Sequence, residues 1–228
     1  MKWNRKFNYL KSKSLKKNTG NYEIDNNDLP SVTKILSATA SEEKKAKLRE
    51  WREKIGEKEA TKTLIEANSR GTLMHSIIEH YLIGQERIKF EDENNQALNM
   101  AKEIIENGLK GKLSEIWGAE VTLYYPKLYG GTADAIGIYE AQESILDFKQ
   151  TNKPKKEEYI EDYFLQLGAY ALAHNVFFES KITQGIILMC STNNMFQKFK
   201  IEGKKFEDIQ KKFLKKVDQY YKQMSKKS

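Results

Sequence analysis

The chain of 228 residues has one cysteine, Cys190, and three prolines. A lone cysteine excludes an intrachain disulfide framework and any zinc or iron–sulfur cluster built from several thiolates. A reducing, intracellular home is the natural expectation. No apolar run approaches the roughly 18 residues of a membrane span, and the longest, Gly185–Cys190, reads as a buried strand. The N-terminus lacks the apolar stretch of a secretory signal. It is basic and free of acids, as a transit peptide would be, but has one Arg and weak amphipathic patterning. No G-x-x-x-x-G-K-[ST] loop occurs; Gly108-Leu-Lys-Gly111-Lys112 is too short and has no hydroxyl residue. A nucleotide-driven motor is therefore not expected.

Acids are also missing where bases gather. Residues 1–20 hold seven Lys/Arg and no acid, and residues 203–228 hold nine Lys against three acids. The net charge is +7, yet residues 21–202 are net acidic. Basic ends around an acidic middle suggest a polyanion held by the ends and carboxylates at work between them. At 39% hydrophobic and 11% aromatic the chain can bury a core.

Residues 1–28 read as a basic, flexible arm, and 29–228 as a single domain. Its front end, 29–110, is helical, with helices expected over 42–67, 70–83 and 94–109. The core, 111–202, carries strands at 116–125, 132–140, 144–150, 182–191 and 195–202, with a helix at 157–175. An amphipathic helix at 204–225 closes the chain. The fold class is α/β, a mixed sheet flanked by helices.

Charges stand where strands should be apolar. Side chains alternate faces along a strand, so Asp147 and Lys149 share one face of Ser144-Ile-Leu-Asp-Phe-Lys149 while Leu146 and Phe148 share the other. Asp134 interrupts the apolar run 132–138, and Glu120 alternates against Ala119, Val121 and Leu123. Burying unpaired carboxylates costs several kcal/mol. A divalent cation would gather them; an ordinary ion-pair network at a solvated sheet edge is the bland alternative. On the second helix His75 and Glu79 are four apart, hence on one face. His80 lies off that face and reads as structural. Gln166 and Tyr170 likewise share a helix face.

Asp134 followed by Asp147-Phe-Lys149 resembles the PD-(D/E)xK nuclease signature, with Ala133 where the family often has proline. Gln166-Leu-Gly-Ala-Tyr170 resembles the Q-x-x-x-Y helix of its RecB-like branch, and Gly71-Thr-Leu-Met-His75-Ser-Ile-Ile-Glu79 that branch's G-x-x-x-H-x-x-x-E helix. Leu29-Pro-Ser31-Val-Thr33-Lys-Ile-Leu36 and the charged helix with Trp51 are similar to the mitochondrial genome maintenance exonuclease group and its phage and bacterial relatives. The resemblance runs over about residues 29–202. It implies a restriction-endonuclease-like sheet core and a metal-dependent DNA exonuclease acting on single-stranded ends or flaps in replication, repair or recombination.

The resemblance assigns Asp134, Asp147 and Lys149 to catalysis. It gives His75, Asp134, Asp147 and Glu120 to Mg²⁺ or Mn²⁺, and Glu79, Gln166, Tyr170, Ser31 and Thr33 to support or substrate binding. Tyr124, Tyr125 and Tyr129 are candidates for stacking on unpaired bases. DNA is the expected partner of a monomer without membrane or nucleotide cofactor, in the cytoplasm of a bacterial or phage-infected cell. A non-catalytic nucleic-acid-binding module and a structure-specific endonuclease or junction resolvase are the alternatives.

Overall fold

The structure, a computed structural model, describes residues 1–11, 20–84 and 95–226. Two short strands come first, β1 (Lys2–Trp3) and β2 (Leu10–Lys11), then a hairpin of β3 (Asn21–Ile24) and β4 (Asn27–Pro30). Four helices follow: α1 (Val32–Ala38), α2 (Glu42–Ile55), α3 (Glu57–Leu82) and α4 (Gln96–Glu103). Next are β5 (Leu113–Tyr125), β6 (Tyr129–Tyr139), β7 (Gln142–Thr151), α5 (Glu161–Phe178), β8 (Gln184–Ser191), β9 (Phe196–Glu202) and α6 (Gly203–Ser225).

The main sheet has seven strands in the order β1-β5-β6-β7-β8-β9, with β2 also on β5. It is mixed: β5–β6, β6–β7 and β8–β9 are antiparallel, while β7–β8 is parallel. A parallel pair needs a crossover, and α5 supplies it. Every residue of β8 is buried, as strands covered on both faces are. One face packs Ile136, Ile145 and Ile187 against Leu165 and Leu167 of α5 and Phe206 and Phe213 of α6. The other packs Leu146, Phe148 and Leu188 against Met74 and Ile78 of α3 and Met100 of α4. Asp147 and Lys149 therefore point to the α5 side, opposite Leu146 and Phe148. No helix among the described residues is long and apolar enough to cross a membrane.

Several expectations shift. The helix expected at 42–67 breaks at Gly56, whose φ of 84° suits a residue without Cβ. The following helix α3 then runs unbroken through Asn68 and Ser69 to Leu82. The 94–109 helix begins at Gln96 (residue 94 lies outside the described residues) and widens into a π-helix over Ile104–Leu109. The basic arm is not loose where it is described. Residues 2–3 and 10–11 pair with β5, Phe7 and Tyr9 pack on the core, and Tyr9 Oη lies 2.8 Å from His174 Nε2. Two aromatic side chains supply enough apolar area to hold a strap that its charge would otherwise leave in water. Lys13, Lys16 and Lys17 fall outside the described residues. Tyr129 is not available for base stacking: it is fully buried and donates to the Ala169 carbonyl at 2.9 Å. The Tyr124 ring packs on Phe177, at 5.0 Å between centroids.

Candidate active site

A cleft of about 610 Å³ opens between α3, the β3–β4 hairpin, α1 and the β5–β6 strands. Its most ordered feature is a trio. His75 of α3, Glu120 of β5 and Asp134 of β6 bring ligand atoms within 4.8 Å of one another. His75 Nδ1 is 3.6 Å from Asp134 Oδ1 and 3.8 Å from Glu120 Oε1.

Each member is placed by local backbone chemistry. Pairing of β6 with β7 ends at Ala135 and Leu146. Beyond that point Asp134 Oδ2, not a backbone carbonyl, accepts the Phe148 N–H at 2.7 Å. The parting of the strands gives the acid its room. Glu120 adopts a left-handed φ of 49° inside β5, a conformation rare for a residue with a Cβ and common at functional sites. α3 is pinned over the end of β7 by Arg70, which donates to Gln150 Oε1 at 3.0 and 2.8 Å and to Asn152 Oδ1 at 2.7 Å. Gly71 has only Gln150 beside it, at 3.5 Å from where a Cβ would stand. This docking carries His75, one turn further on, to the carboxylates, with its ring edge-on to Phe148 at 6.1 Å.

Asp147 and Lys149 form a second group. Lys149 Nζ is 2.5 Å from Asp147 Oδ2, so that oxygen is met by the ammonium, while Oδ1 is buried without a hydrogen-bond partner. Such an orphan calls for an explanation in a native protein. Asp147 is 1% exposed and feels the charges of both Asp134 and His75. Burial pushes the Asp147 carboxyl up to about 6 against the pull of the Lys149 ammonium. Burial also raises the Asp134 carboxyl, opposed by His75 and Lys149. For His75 burial works downward, but Asp134 and Glu120 outweigh it and lift the imidazole to about 9. Lys149 is likewise raised, burial losing to Asp147 and Asp134. The site is thus a set of interdependent charges, with Asp134 and Asp147 buried and His75, Glu120 and Lys149 partly exposed. One imidazole, clustered carboxylates and one unpartnered carboxylate oxygen, Asp147 Oδ1, fit a hard or borderline divalent cation such as Mg²⁺ or Mn²⁺.

The supporting residues fall around this. Gln166 and Tyr170 line the cleft, and Gln166 Nε2 donates to the Tyr170 hydroxyl at 3.0 Å. Glu79 lines it too. Ser31 caps α1, accepting from Lys34 N at 3.0 Å, with Thr33 Oγ1 3.1 Å from its hydroxyl. His80 Nδ1 is 2.6 Å from the Ser76 carbonyl, a bond within its own helix.

Comparison with known proteins follows the same direction. Mitochondrial genome maintenance exonuclease 1 of Homo sapiens is 27% identical over 179 residues, covering 73% of this chain and 50% of that protein. Its counterparts in Xenopus tropicalis and Mus musculus are 26% and 27% identical over 72% and 73% of the chain. The chain spans about half the length of these curated relatives. They are distant relatives, and all three are named as genome maintenance exonucleases. No family model matches the chain. The crystal structure of SSO0001 overlays with a TM-score of 0.40 at 14% identity, covering 76% of this chain and 70% of that one, a likeness too loose to argue from.

The structure adds cleft residues that sequence reasoning missed. Tyr22, inside the supposed arm, places its hydroxyl 2.9 Å from Thr132 Oγ1 and lines the cleft beside Gly131. Tyr170 packs so closely on Gly131 that any Cβ there would strike its ring. The only sequence signal was Gly130-Gly131 itself, which reads as a turn.

Proposed function

We propose that this protein is a Mg²⁺- or Mn²⁺-dependent deoxyribonuclease of the PD-(D/E)xK, RecB-like kind, on a restriction-endonuclease-like core. It removes nucleotides from single-stranded DNA ends or flaps during DNA maintenance. One observation carries the reading. His75, Glu120 and Asp134 converge at the cleft while a buried Asp147–Lys149 pair stands on the next strand. The exonuclease names of the distant relatives support it.

His75, Glu120 and Asp134 would hold the ion, with the unpartnered Asp147 Oδ1 offering a further donor. When bound, a divalent cation supplies charge neutralisation at the scissile phosphate and eases ionisation of water. The chain's own contribution is positional and electrostatic. Lys149 stays charged beside Asp147 and is placed to orient the attacking water and to offset the negative charge that grows in the transition state. Glu79, at the cleft wall, borders the His75 side, while Gln166 and Tyr170 offer an amide and a hydroxyl to substrate phosphate. Ser31 Oγ is committed to capping α1, so its part is to set the cleft wall.

Purified protein should degrade linear single-stranded DNA with Mn²⁺ or Mg²⁺ and none with EDTA. Asp147→Ala and Lys149→Ala should each lower the rate at least about 10²-fold. Equal cleavage by wild type and either variant would overturn the assignment. Closed single-stranded circles should resist; rapid nicking of the circle would favour an endonuclease instead.

A further inference from the structure

A second cavity of about 390 Å³ lies under α2, and it shares Thr33 and Gln166 with the main cleft. The two therefore adjoin at these residues. Tyr163 joins them chemically: its ring lines the second cavity and faces the Lys149 ammonium at 5.1 Å. The walls are of three kinds. Leu36, Leu48 and the Tyr163 ring are apolar, Thr33 and Gln166 carry hydrogen-bonding groups, and Lys44, Lys45 and Asp162 carry charge. Leu48 is 51% exposed on α2, a helix that buries none of its residues. α2 lies against α3, with Trp51 and Ile55 half-buried, and Lys44 pairs across to Asp162 of α5. Lys45, on the rim, pairs with Glu42 at 2.8 Å, three residues away on the surface, and such exposed pairs exchange partners at little cost.

We propose that this cavity is a second nucleotide subsite, taking the unpaired base next to the scissile phosphate and leaving that nucleotide's own phosphate to Lys45. An aromatic ring, two leucines and a primary amide match a flat heterocycle with polar edges. The base of a duplex would have its pairing edge covered by the partner strand, so the subsite selects single strands. The inference rests on the nuclease reading above and gives it a source of strand specificity.

The test combines a damaged substrate with a damaged site. Linear single strands carrying one abasic residue, stepped along from the cleaved end, are digested with Mn²⁺ by wild type and by Leu48→Glu. In wild type one abasic position should raise KM about tenfold, the scale of one lost stacking contact. In Leu48→Glu the intact strand should show a similar rise, and an abasic residue at that position should add nothing, because the two changes remove the same contact. Leu48→Met should behave as wild type. Should the glutamate disturb α2 in circular dichroism, Leu48→Gln removes the apolar contact without the charge and carries the same expectation. Losses that multiply independently, or a wild type indifferent to base loss at every position, would overturn the subsite. A wild type that cuts no strand at all overturns the nuclease reading itself, a distinguishable result.

Discussion

His75 carries a proton in the place a metal ion would need. Its imidazole is lifted from the usual 6.5 to about 9 because Asp134 and Glu120 overcome the opposing effect of burial. An imidazole ligates only when neutral. Mn²⁺ affinity should therefore climb as pH rises toward about 9, by up to about tenfold per unit, and level off above. Calorimetric titration at pH 7, 8 and 9 checks this, and His75→Gln should flatten the trend. Asp147 gives a second pH dependence in metal-free protein. Its carboxyl is raised from 3.8 to about 6 by burial. A raised pKa means its contribution to stability is fully present below 3.8 and lost as pH rises through about 6. Asp147→Asn should remove that part of the fall in melting temperature between pH 4 and 7. At this scale the sequence spoke clearly where charge contradicted strand alternation, as at Asp134, Asp147 and Lys149. It was silent on Tyr22, whose relevance depends on a hydroxyl partner 110 residues away.

Elements were legible wherever periodicity was strong, and their limits were set by features periodicity does not encode. Gly56 lies within a continuous helical pattern, and its positive φ divides that pattern into α2 and α3. The docking of α3 on β7 through Arg70 and Gln150 is a tertiary match with no sequence period. The seat of Tyr170 on Gly131 is another. Gly131→Ala should push the Tyr170 ring away and disturb its bond to Gln166. We expect kcat/KM on single strands to fall about tenfold or more, with little change in Mn²⁺ affinity. Unchanged kinetics in this variant would mean that the Gln166–Tyr170 pair does not act in catalysis.

For the molecule as a whole, net charge says little about how the ends are held. The first residues read as a flexible arm because they are basic, while Phe7 and Tyr9 pack on the core. Removing residues 1–11 should cost on the order of 5–10 °C in melting temperature, given that each kcal/mol is worth roughly 2–4 °C at this size. Thermal melts of the truncated chain check this. The other basic end is equally bound in: α6 buries Phe206, Phe213, Val217 and Tyr220. Its outward lysines are a different matter. Lys215, Lys222 and Lys226 border one stretch of surface. If they meet phosphates, replacing all three with Ala should make the salt dependence of single-strand affinity shallower by up to about 0.7 per lysine on a log–log plot. Cleavage at low salt should persist.

The left-handed backbone of Glu120 has an evolutionary corollary. A carboxylate of the proposed metal-binding trio and a backbone conformation that disfavours side chains occupy the same position, so stability and chemistry pull it in opposite directions. Glu120→Gly would relax the backbone and delete a ligand in one step. A population of variants selected for heat resistance alone should therefore drift toward glycine here, and one selected for cleavage should not.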